Sequence, residues 1–490
     1  MKVLLVKLGW DLLVKVVKTD GGPLVKVTLS QAAVEDSELT TADLPNAYNL
    51  AERRRDPVLL RLPETVDKWD ADGYELGLLM RVPHYGEEES GDEADASLVE
   101  EFKSAGFIKA EGVPALCTLT VAAEGGVAGG VCSIARVVDD LLFSAPAGHP
   151  IIERVSRWMH DHFGPGVKEN RKAVELAGYV WTRDESRKAL TVRMTQHVKS
   201  AVARIAPGIL TGDLPSKGEG KGAKLHEILT NLKMQGERPA RLTPEQKLVQ
   251  EGVGLLKYPE RVMPRLTLGL HCLAKVMSNP PPEANLALKL VAEMAWNHRE
   301  EGITYCGGEP SMSLSLRARV KLDEPAPVEL QGTADATWGA VGPEKDISGM
   351  VLTRCGGAIV HGTHNINAIV DSSCESEGVA STKLAHKIEY AQTIESAFGA
   401  SVQWPTILGT DSSSNLALAT RQGAAGRARH ALRRWHNLIR RLELGQVLLA
   451  KVDTDDMPAD FLTKFVPTAK LERSIRRATN AGEAVPPARA

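Results

Sequence analysis

The sequence predicts a multidomain protein that combines α+β and α/β architecture, and three observations support this prediction. The chain has 490 residues, whereas a single hydrophobic core stops growing at about 250–300 residues. A Gly-, Lys- and Pro-rich stretch at 213–224 and a Pro-rich stretch at 321–330 are typical of linkers between units. In the last third, a run of strands precedes alternating strands and helices, which predicts a mixed sheet with helices packed on it.

The composition is that of a folded intracellular protein. The chain is 43% hydrophobic and 25% charged, which is enough to bury a core and excludes wholesale disorder. Its net charge of −3 means that nucleic-acid binding would need a local basic surface. The six cysteines form no C-x-x-C pair, which indicates reduced thiols. We expect neither a signal peptide nor a membrane span, because charged residues interrupt every apolar stretch.

Periodicity predicts a strand-rich first region and a helical second one. The expected elements are short strands within 1–35, an acidic loop and helix start at 87–101, two strands within 127–145, a helix at 150–163, a hairpin at 178–194, and helices from 226 to 300 with a break at 278–285.

Four acidic residues in the last third lie at the ends of predicted elements. Asp335 lies in the first strand, Glu375 in the first turn of a helix from Ser373 to about Phe398, Asp411 at the end of the strand 404–411, and Asp460 at the start of a final helix near Pro458. Each acid alone is more typical of a turn or cap. Four acids facing one cleft would repel each other unless cations neutralised them, and two Mg²⁺ ions about 3.5–4 Å apart do this in phosphoryl-transfer sites.

Two further acids, Asp139 and Asp140, lie between apolar residues of a predicted hairpin. Two adjacent acids in such surroundings are costly unless they are paired or bind metal. Asp43 lies upstream, before Pro45, where the simpler interpretation is a helix N-cap.

Five ordered motifs resemble the ribonuclease H of copia-type LTR retrotransposon Pol polyproteins. They are TADATWG (333–339), SSCESEGVA (372–380), TDSSSNLALA (410–419), ARHALRRWH (428–436) and DMPADFLTK (456–464). The resemblance implies that Asp335, Glu375, Asp411 and Asp460 bind two Mg²⁺ ions for hydrolysis of RNA in an RNA/DNA hybrid. Thr337 stands where the family has a second Asp, and Lys451 where it has a His.

The first half resembles the reverse transcriptase of the same family. RVVDDLLFS resembles its Y-V-D-D motif, with Val137 in place of Tyr, and TADLPNAYNL (41–50) resembles its first catalytic motif. The resemblance implies that Asp43, Asp139 and Asp140 bind Mg²⁺ and that Tyr48 contacts the deoxynucleotide, with an RNA template and a DNA primer as partners. It implies a partial reverse-transcriptase palm with thumb and connection helices, followed by a ribonuclease H-like mixed sheet with flanking helices.

The implied domains are a palm with truncated fingers (1–212), a helical thumb and connection (213–325), a ribonuclease H-like domain (326–470) and a tail (471–490). A basic stretch would contact the hybrid through its backbone charge; its residues are Arg429, His430, Arg433, Arg434 and His436.

Several departures leave an alternative open. The acidic segment 85–97 replaces the family's nucleotide-binding motif, and negative charge beside a triphosphate is unfavourable. We therefore expect weak or absent polymerase activity in a partial polyprotein acting in a cytoplasmic particle or the nucleus. The alternative is a decayed, non-catalytic remnant that at most binds nucleic acid, and a third interpretation is two unrelated α/β domains.

Overall fold

The computed structural model describes residues 21–44, 58–61, 77–80, 90–137, 140–184, 189–211, 221–234, 236–237, 239–307, 316, 330–339, 345–399, 405–420 and 432–481. Side chains are not described at residues 21, 58–61, 77–80, 90–95, 221 and 432–434. The strands predicted within residues 1–20 lie outside the described residues.

The chain divides into two compact units. The N-terminal unit comprises Met1–Thr28, Ser37–Ala177 and Ser396–Ala400, and the C-terminal unit comprises Leu29–Asp36, Gly178–Glu395 and Ser401–Ala490. The mixed α and β content and the several sheets confirm the predicted fold class.

Within the described residues, the first half starts with a helix at Gly21 and continues mainly as strands. Its elements are α1 (Gly21–Glu35), β1 (Ser37–Asp43), β2 (Val58–Arg61), β3 (Gly77–Met80), α2 (Ser90–Ser104), β4 (Ile108–Lys109), β5 (Leu116–Val121), β6 (Gly130–Val137), β7 (Asp140–Pro146), α3 (Ile151–Phe163), β8 (Lys168–Asn170) and β9 (Glu175–Leu176). The strand prediction is wrong over Gly21–Glu35. Leu24, Val25 and Val27 are all buried, and a segment buried on every side has no periodicity that distinguishes a helix from a strand.

A six-stranded sheet in the order β4-β5-β6-β7-β1-β8 forms the centre of the N-terminal unit. The β6–β7 hairpin and the helix α3 confirm the predictions for 127–145 and 150–163. Helix α3 buries Ile151, Val155 and Met159, which are spaced four residues apart and therefore lie on one face. These residues belong to the same core as the apolar residues of β6 and β7.

The C-terminal unit contains a hairpin, a helical region and a second large sheet. Its further elements are β10 (Tyr179–Arg183), β11 (Ala189–Arg193), α4 (Thr195–Ile205), α5 (Lys221–Asn231), α6 (Pro244–Lys257), α7 (Thr267–Lys275), α8 (Pro282–Asn297), β12 (Ile303–Cys306), β13 (Leu330–Ala336), β14 (Ile347–Arg354), β15 (Gly357–Asn365), α9 (Ser373–Ala397), β16 (Thr406–Thr410), α10 (Ser413–Ala419), α11 (Leu432–Glu443), β17 (Val447–Lys451) and α12 (Thr468–Thr479). The predicted hairpin at 178–194 and the helical region with its break near 278–285 are confirmed. The linker prediction is wrong at its end, because α5 begins at Lys221.

The large sheet has the strand order β15-β14-β13-β16-β17. Strands β13, β14 and β15 are antiparallel neighbours, whereas β13, β16 and β17 run parallel. Helix α9 packs across β13: a Cβ built on Gly332 would lie 2.9 Å from Leu384 Cδ2. This is the mixed sheet with packed helices that the sequence predicts.

The prediction that Asp460 starts the last helix is wrong. Asp460 begins a single 3₁₀ turn, Asp460–Leu462, and α12 begins only at Thr468. Pro467 lies between them, and because proline lacks an amide hydrogen, a continuous helix through this position is unfavourable.

None of the described helices is long and apolar enough to cross a membrane. All six cysteines are free thiols.

Candidate functional site

The parallel pair β13 and β16 brings Asp335 and Asp411 to the same edge of the large sheet. Thr333 is in register with Gly409, so continuing both strands by two residues places Asp335 level with Asp411. Residues two apart in a strand have side chains on the same face. The two carboxylates therefore meet where the strands end, as the sequence predicts.

Helix α9 contributes a third carboxylate, from Glu377. Leu384 lies on the face of α9 that contacts the sheet at Gly332, and Glu377 precedes it by two helical turns, which places both side chains on that face. One carboxylate oxygen from each of Asp335, Glu377 and Asp411 lies within 4.8 Å of the others. We call these three residues the acidic cluster.

The predicted ligand Glu375 is not in the acidic cluster. Residues that are two positions apart in a helix point in directions that differ by about 200°. Glu375 and Glu377 therefore cannot both face the sheet. The Glu375 carboxylate instead accepts a hydrogen bond from the amide of Asp371 (3.0 Å), and its own amide donates to Ser372 Oγ (3.3 Å). Both bonds satisfy amides at the start of α9, which resembles a capping box. We therefore assign Glu375 to helix capping.

Burial and mutual repulsion raise the pKa of two residues of the acidic cluster, Asp335 and Glu377. Glu377 is 7% exposed and Asp335 2%. Burial, followed by the charges of Asp335 and Asp411, raises the pKa of Glu377 to about 9. Burial is also the largest cause that raises the pKa of Asp335 to about 7, against the lowering effect of Lys464. A bound cation would favour the ionised forms of both carboxylates.

The acidic cluster has the donor atoms that Mg²⁺ requires. Glu377 Oε1 accepts a hydrogen bond from the amide of Ala336 (3.3 Å), whereas Glu377 Oε2 is buried and has no hydrogen-bond partner among the described residues. A buried carboxylate oxygen without a partner is unfavourable. Mg²⁺ prefers carboxylate oxygens and is held by a few of them together with water and phosphate. The residues present therefore fit a magnesium ion.

Asp460 lies beside the acidic cluster, but lysines surround it. Lys464 Nζ lies 3.0 Å from Asp460 Oδ1 and 3.7 Å from Asp335 Oδ2. Lys470 forms an ion pair with Asp460 Oδ2. The structure thus places Asp335, Asp411 and Asp460 in one region, as predicted, although Asp460 is outside the acidic cluster.

The two positions that depart from the family motifs have local partners. Thr337 Oγ1 accepts a hydrogen bond from the amide of Ile347 (2.9 Å), which fixes the end of β13. Lys451 donates to the main-chain carbonyl of Asp411, and Thr454 Oγ1 donates to Asp411 Oδ2 (3.0 Å). These contacts hold Asp411 at the end of its strand.

The basic helix α11 packs directly beside the acidic cluster. Trp435 is fully buried, and a Cβ on Gly378, the residue after Glu377, would lie 2.2 Å from the Trp435 ring. Trp435 Nε1 donates to Asn415 Oδ1 (2.8 Å), which joins α11 to α10. His436 is exposed. Arg429 and His430 lie outside the described residues, as do the side chains of Arg433 and Arg434.

The N-terminal unit brings together two of the three aspartates assigned to the polymerase site. Asp43 ends β1 and is in register with Asp140, the first residue of the antiparallel strand β7. The Asp43 side chain is 44% exposed, and its Oδ2 lies 3.6 Å from Lys168 Nζ. Asp139 and Tyr48 lie outside the described residues.

No protein-family model and no curated protein sequence matches the chain. Among solved structures, the chain is similar to a foamy viral protease-reverse transcriptase in complex with an RNA/DNA hybrid, at 14% identity and a TM-score of 0.43, over 90% of this chain and 46% of that one. It also matches the native protease-reverse transcriptase of Prototype Foamy Virus, at 13% identity and a TM-score of 0.20, over 93% of this chain and 69% of that one.

The chain thus spans about half the length of the first of these structures.

Sequence reasoning missed Glu377 and the lysines. Glu377 could have been found from the seven-residue spacing to Leu384 on the apolar face of α9. Lys464 follows Asp460 by four residues, the spacing at which acidic and basic side chains meet on a helix.

Proposed function

We propose that the C-terminal unit is a magnesium-dependent ribonuclease that hydrolyses the RNA strand of an RNA/DNA hybrid, and that the chain derives from a copia-type retrotransposon Pol polyprotein. The observation that carries the proposal is the acidic cluster at the junction of β13, β16 and α9. The proposal keeps 326–470 as the ribonuclease H-like domain, after the helical region 213–325, and an intracellular site of action; the flexible tail expected at 471–490 begins within helix α12, which buries Ile475 and Ala478.

The residues of the cluster have separate parts in this chemistry. Asp335, Glu377 and Asp411 would hold the ion, and Glu377 Oε2 is the oxygen that needs a partner most. When bound, Mg²⁺ supplies an activated water and stabilises charge on the phosphate. Thr463 donates to Asp335 Oδ2 and Thr454 to Asp411 Oδ2, so each strand-end carboxylate is oriented by a hydroxyl group.

The basic helix α11 provides a surface for the substrate. Its buried Trp435 fixes the helix beside Glu377, and the exposed His436 and Arg440 lie on its outer side. A hybrid would be bound through phosphate charge and 2′-hydroxyl groups, without base readout. We extend this contact to Arg429, His430, Arg433 and Arg434 as a proposal from the sequence.

The N-terminal unit is proposed to be a polymerase palm whose activity is weak or lost. The register of Asp43 with Asp140 across β1 and β7 supports descent from a reverse-transcriptase palm. The proposal includes Asp139 as the third acid and Tyr48 at the nucleotide. The second candidate function is a non-catalytic remnant that binds hybrid; the raised pKa of Glu377 and the lysines beside Asp460 favour it.

Cleavage of a labelled RNA/DNA hybrid by the full chain in Mg²⁺ distinguishes the two functions. We expect cleavage that EDTA abolishes and that Asp411→Asn reduces at least about a hundred-fold, more than the loss of an outer-shell metal partner usually causes. Hybrid binding by the variant, measured by fluorescence anisotropy, serves as the control for folding. Equal cleavage rates for the wild type and Asp411→Asn would remove the ribonuclease assignment.

A further inference from the structure

Lys464 lies between two acids that the sequence resemblance assigns to metal binding. Its Nζ is 3.0 Å from Asp460 Oδ1 and 3.7 Å from Asp335 Oδ2. The amide of Lys464 also donates to the carbonyl of Asp460 (3.0 Å), which closes the turn that contains Asp460. This bond fixes the backbone of Lys464 beside Asp460, and the side chain brings its ammonium group to both carboxylates.

The second oxygen of Asp460 also has a cationic partner. Lys470 forms an ion pair with Asp460 Oδ2 and donates to the carbonyl of Thr454 (2.5 Å). Asp460 is fully buried, so removing both ammonium groups would leave an uncompensated charge in the interior. Each oxygen of Asp460 thus lies within ion-pair distance of a lysine, by a hydrogen bond from Lys470 at Oδ2 and by charge alone from Lys464 at Oδ1, and Asp460 is absent from the acidic cluster.

We propose that this site holds one divalent ion, in the acidic cluster, and that the ammonium group of Lys464 takes the place of a second ion between Asp335 and Asp460. This inference rests on the proposed function. In two-metal sites a shared carboxylate lies between ions about 3.5–4 Å apart. Here the shared carboxylate is Asp335, which has the acidic cluster on one side and Lys464 on the other.

The charges in this region agree with a single ion. Four carboxylates, those of the acidic cluster and Asp460, lie close to Lys464 and Lys470, and Lys451 approaches from the side of Asp411. The three lysines offset three of the four negative charges, so one divalent ion already brings the sum to +1. A second divalent ion would have to displace an ammonium group or add excess positive charge.

Lys464 is also accessible from solvent. Its side chain is 46% exposed, although it contacts two buried acids. A lysine in this position can neutralise a phosphate oxygen as a point charge, which is the role that a second ion would otherwise have.

Counting bound ions tests the inference independently of cleavage. All chains in this test, including the wild-type reference, carry Asp43→Asn and Asp140→Asn, which remove two ligands proposed for the palm, so that only ions of the C-terminal unit are counted. Mn²⁺ is titrated into the full chain, free and in complex with a hybrid whose RNA strand carries non-cleavable 2′-O-methyl groups, and free Mn²⁺ is measured by electron paramagnetic resonance. The hybrid alone is subtracted. We expect about one ion per wild-type chain, about two per Lys464→Met chain, and about one per Lys464→Arg chain, which keeps the cationic group.

Asp460→Asn provides a second measurement that leaves Lys464 in place. If Asp460 binds no ion, this variant keeps a count of about one, whereas a two-ion site would lose one of its ions. Circular dichroism and a thermal melt confirm that each variant is folded.

Two ions in the wild type, one ion in Lys464→Met, or loss of the ion in Asp460→Asn would each overturn the inference. Absence of hybrid cleavage would instead contradict the proposed function, because the ion count does not depend on turnover.

Discussion

The two acidic sites of this protein differ in how their carboxylates are held. In the N-terminal unit, Asp43 lies at a strand end, is 44% exposed and has Lys168 at 3.6 Å. In the C-terminal unit, Asp335 and Glu377 are buried, and a third carboxylate lies within 4.8 Å of both. Both sites begin with an aspartate at the end of a strand, but only in the second does the described structure bury acids against each other.

This difference shows that proximity of acids alone does not indicate a metal site. An exposed carboxylate with a lysine partner is screened by solvent and is stable without an ion. A buried carboxylate beside other acids is costly until a cation is added. Glu377, whose pKa is raised to about 9, therefore marks the site where an ion would have the larger effect.

The largest effect is expected on the rate of hybrid cleavage, when Glu377→Gln is compared with Glu375→Gln. The first substitution removes a carboxylate of the acidic cluster and should lower the rate of hybrid cleavage at least about a hundred-fold. The second removes a buried carboxylate that caps the helix, a contact that contributes about 1 kcal/mol to stability, and should leave the rate within about twofold. Initial rates in Mg²⁺ measure both.

The two glutamates are two residues apart in the same helix, so each variant is the matched control for the other. A larger loss of rate in Glu375→Gln than in Glu377→Gln would show that the site is built as the sequence motif alone suggests.

A smaller effect is expected from Gly378→Ala, which alters the packing that buries Glu377. The added methyl group would lie 2.2 Å from the ring of Trp435, which is fully buried and bonded to Asn415. Overpacking of this kind costs about 1–3 kcal/mol, and we expect the upper end because a buried indole cannot move aside. Chemical denaturation measures the loss. Gly254→Ala is the control, because nothing lies within 4 Å of its Cβ position.

The sequence predicted much of this architecture, and its errors have physical causes. The order of strands and helices from β13 to β17 could be predicted because turn residues and period-2 patterns mark each element. Helix α1 could not, because its residues are buried on all sides. The predicted strands placed Asp335 and Asp411 near strand ends, where the structure also has them. Choosing Glu377 over Glu375 required knowing which face of α9 meets the sheet, and that is set by the contact of Leu384 with Gly332.

Acid conditions should lower the free energy of unfolding by about 2 kcal/mol through protonation of His271 in the C-terminal unit. His271 Nε2 lies 3.1 Å from Asn365 Oδ1. Burial, followed by Lys275 and Lys257, lowers the pKa of His271 to about 4 from 6.5. Because the folded-state pKa is depressed, neutral His271 contributes its full stability above pH 6.5, and this contribution is lost as the pH falls toward 4.

At pH 5 the loss is about 2 kcal/mol. Gln at this position can still hydrogen-bond to Asn365 but takes up no proton. The difference in unfolding free energy between the wild type and His271→Gln should therefore become less favourable to the wild type between pH 7 and pH 5. A difference that does not vary with pH would mean that His271 is not a buried neutral imidazole.

The smallest effect is expected from Asp43→Asn on hybrid cleavage. Asp43 belongs to the exposed acidic site of the N-terminal unit, where its carboxylate is paired with Lys168. Exposed ion pairs contribute at most about 1 kcal/mol, so the variant should be as stable as the wild type and should cleave hybrid within about twofold of its rate. Primer extension on an RNA template, which we expect to be weak, should fall to background in the same variant, because the proposed palm would lose a metal ligand. A parallel loss of cleavage and extension would show that the two acidic sites are not independent and that burial in the C-terminal unit is not what separates them.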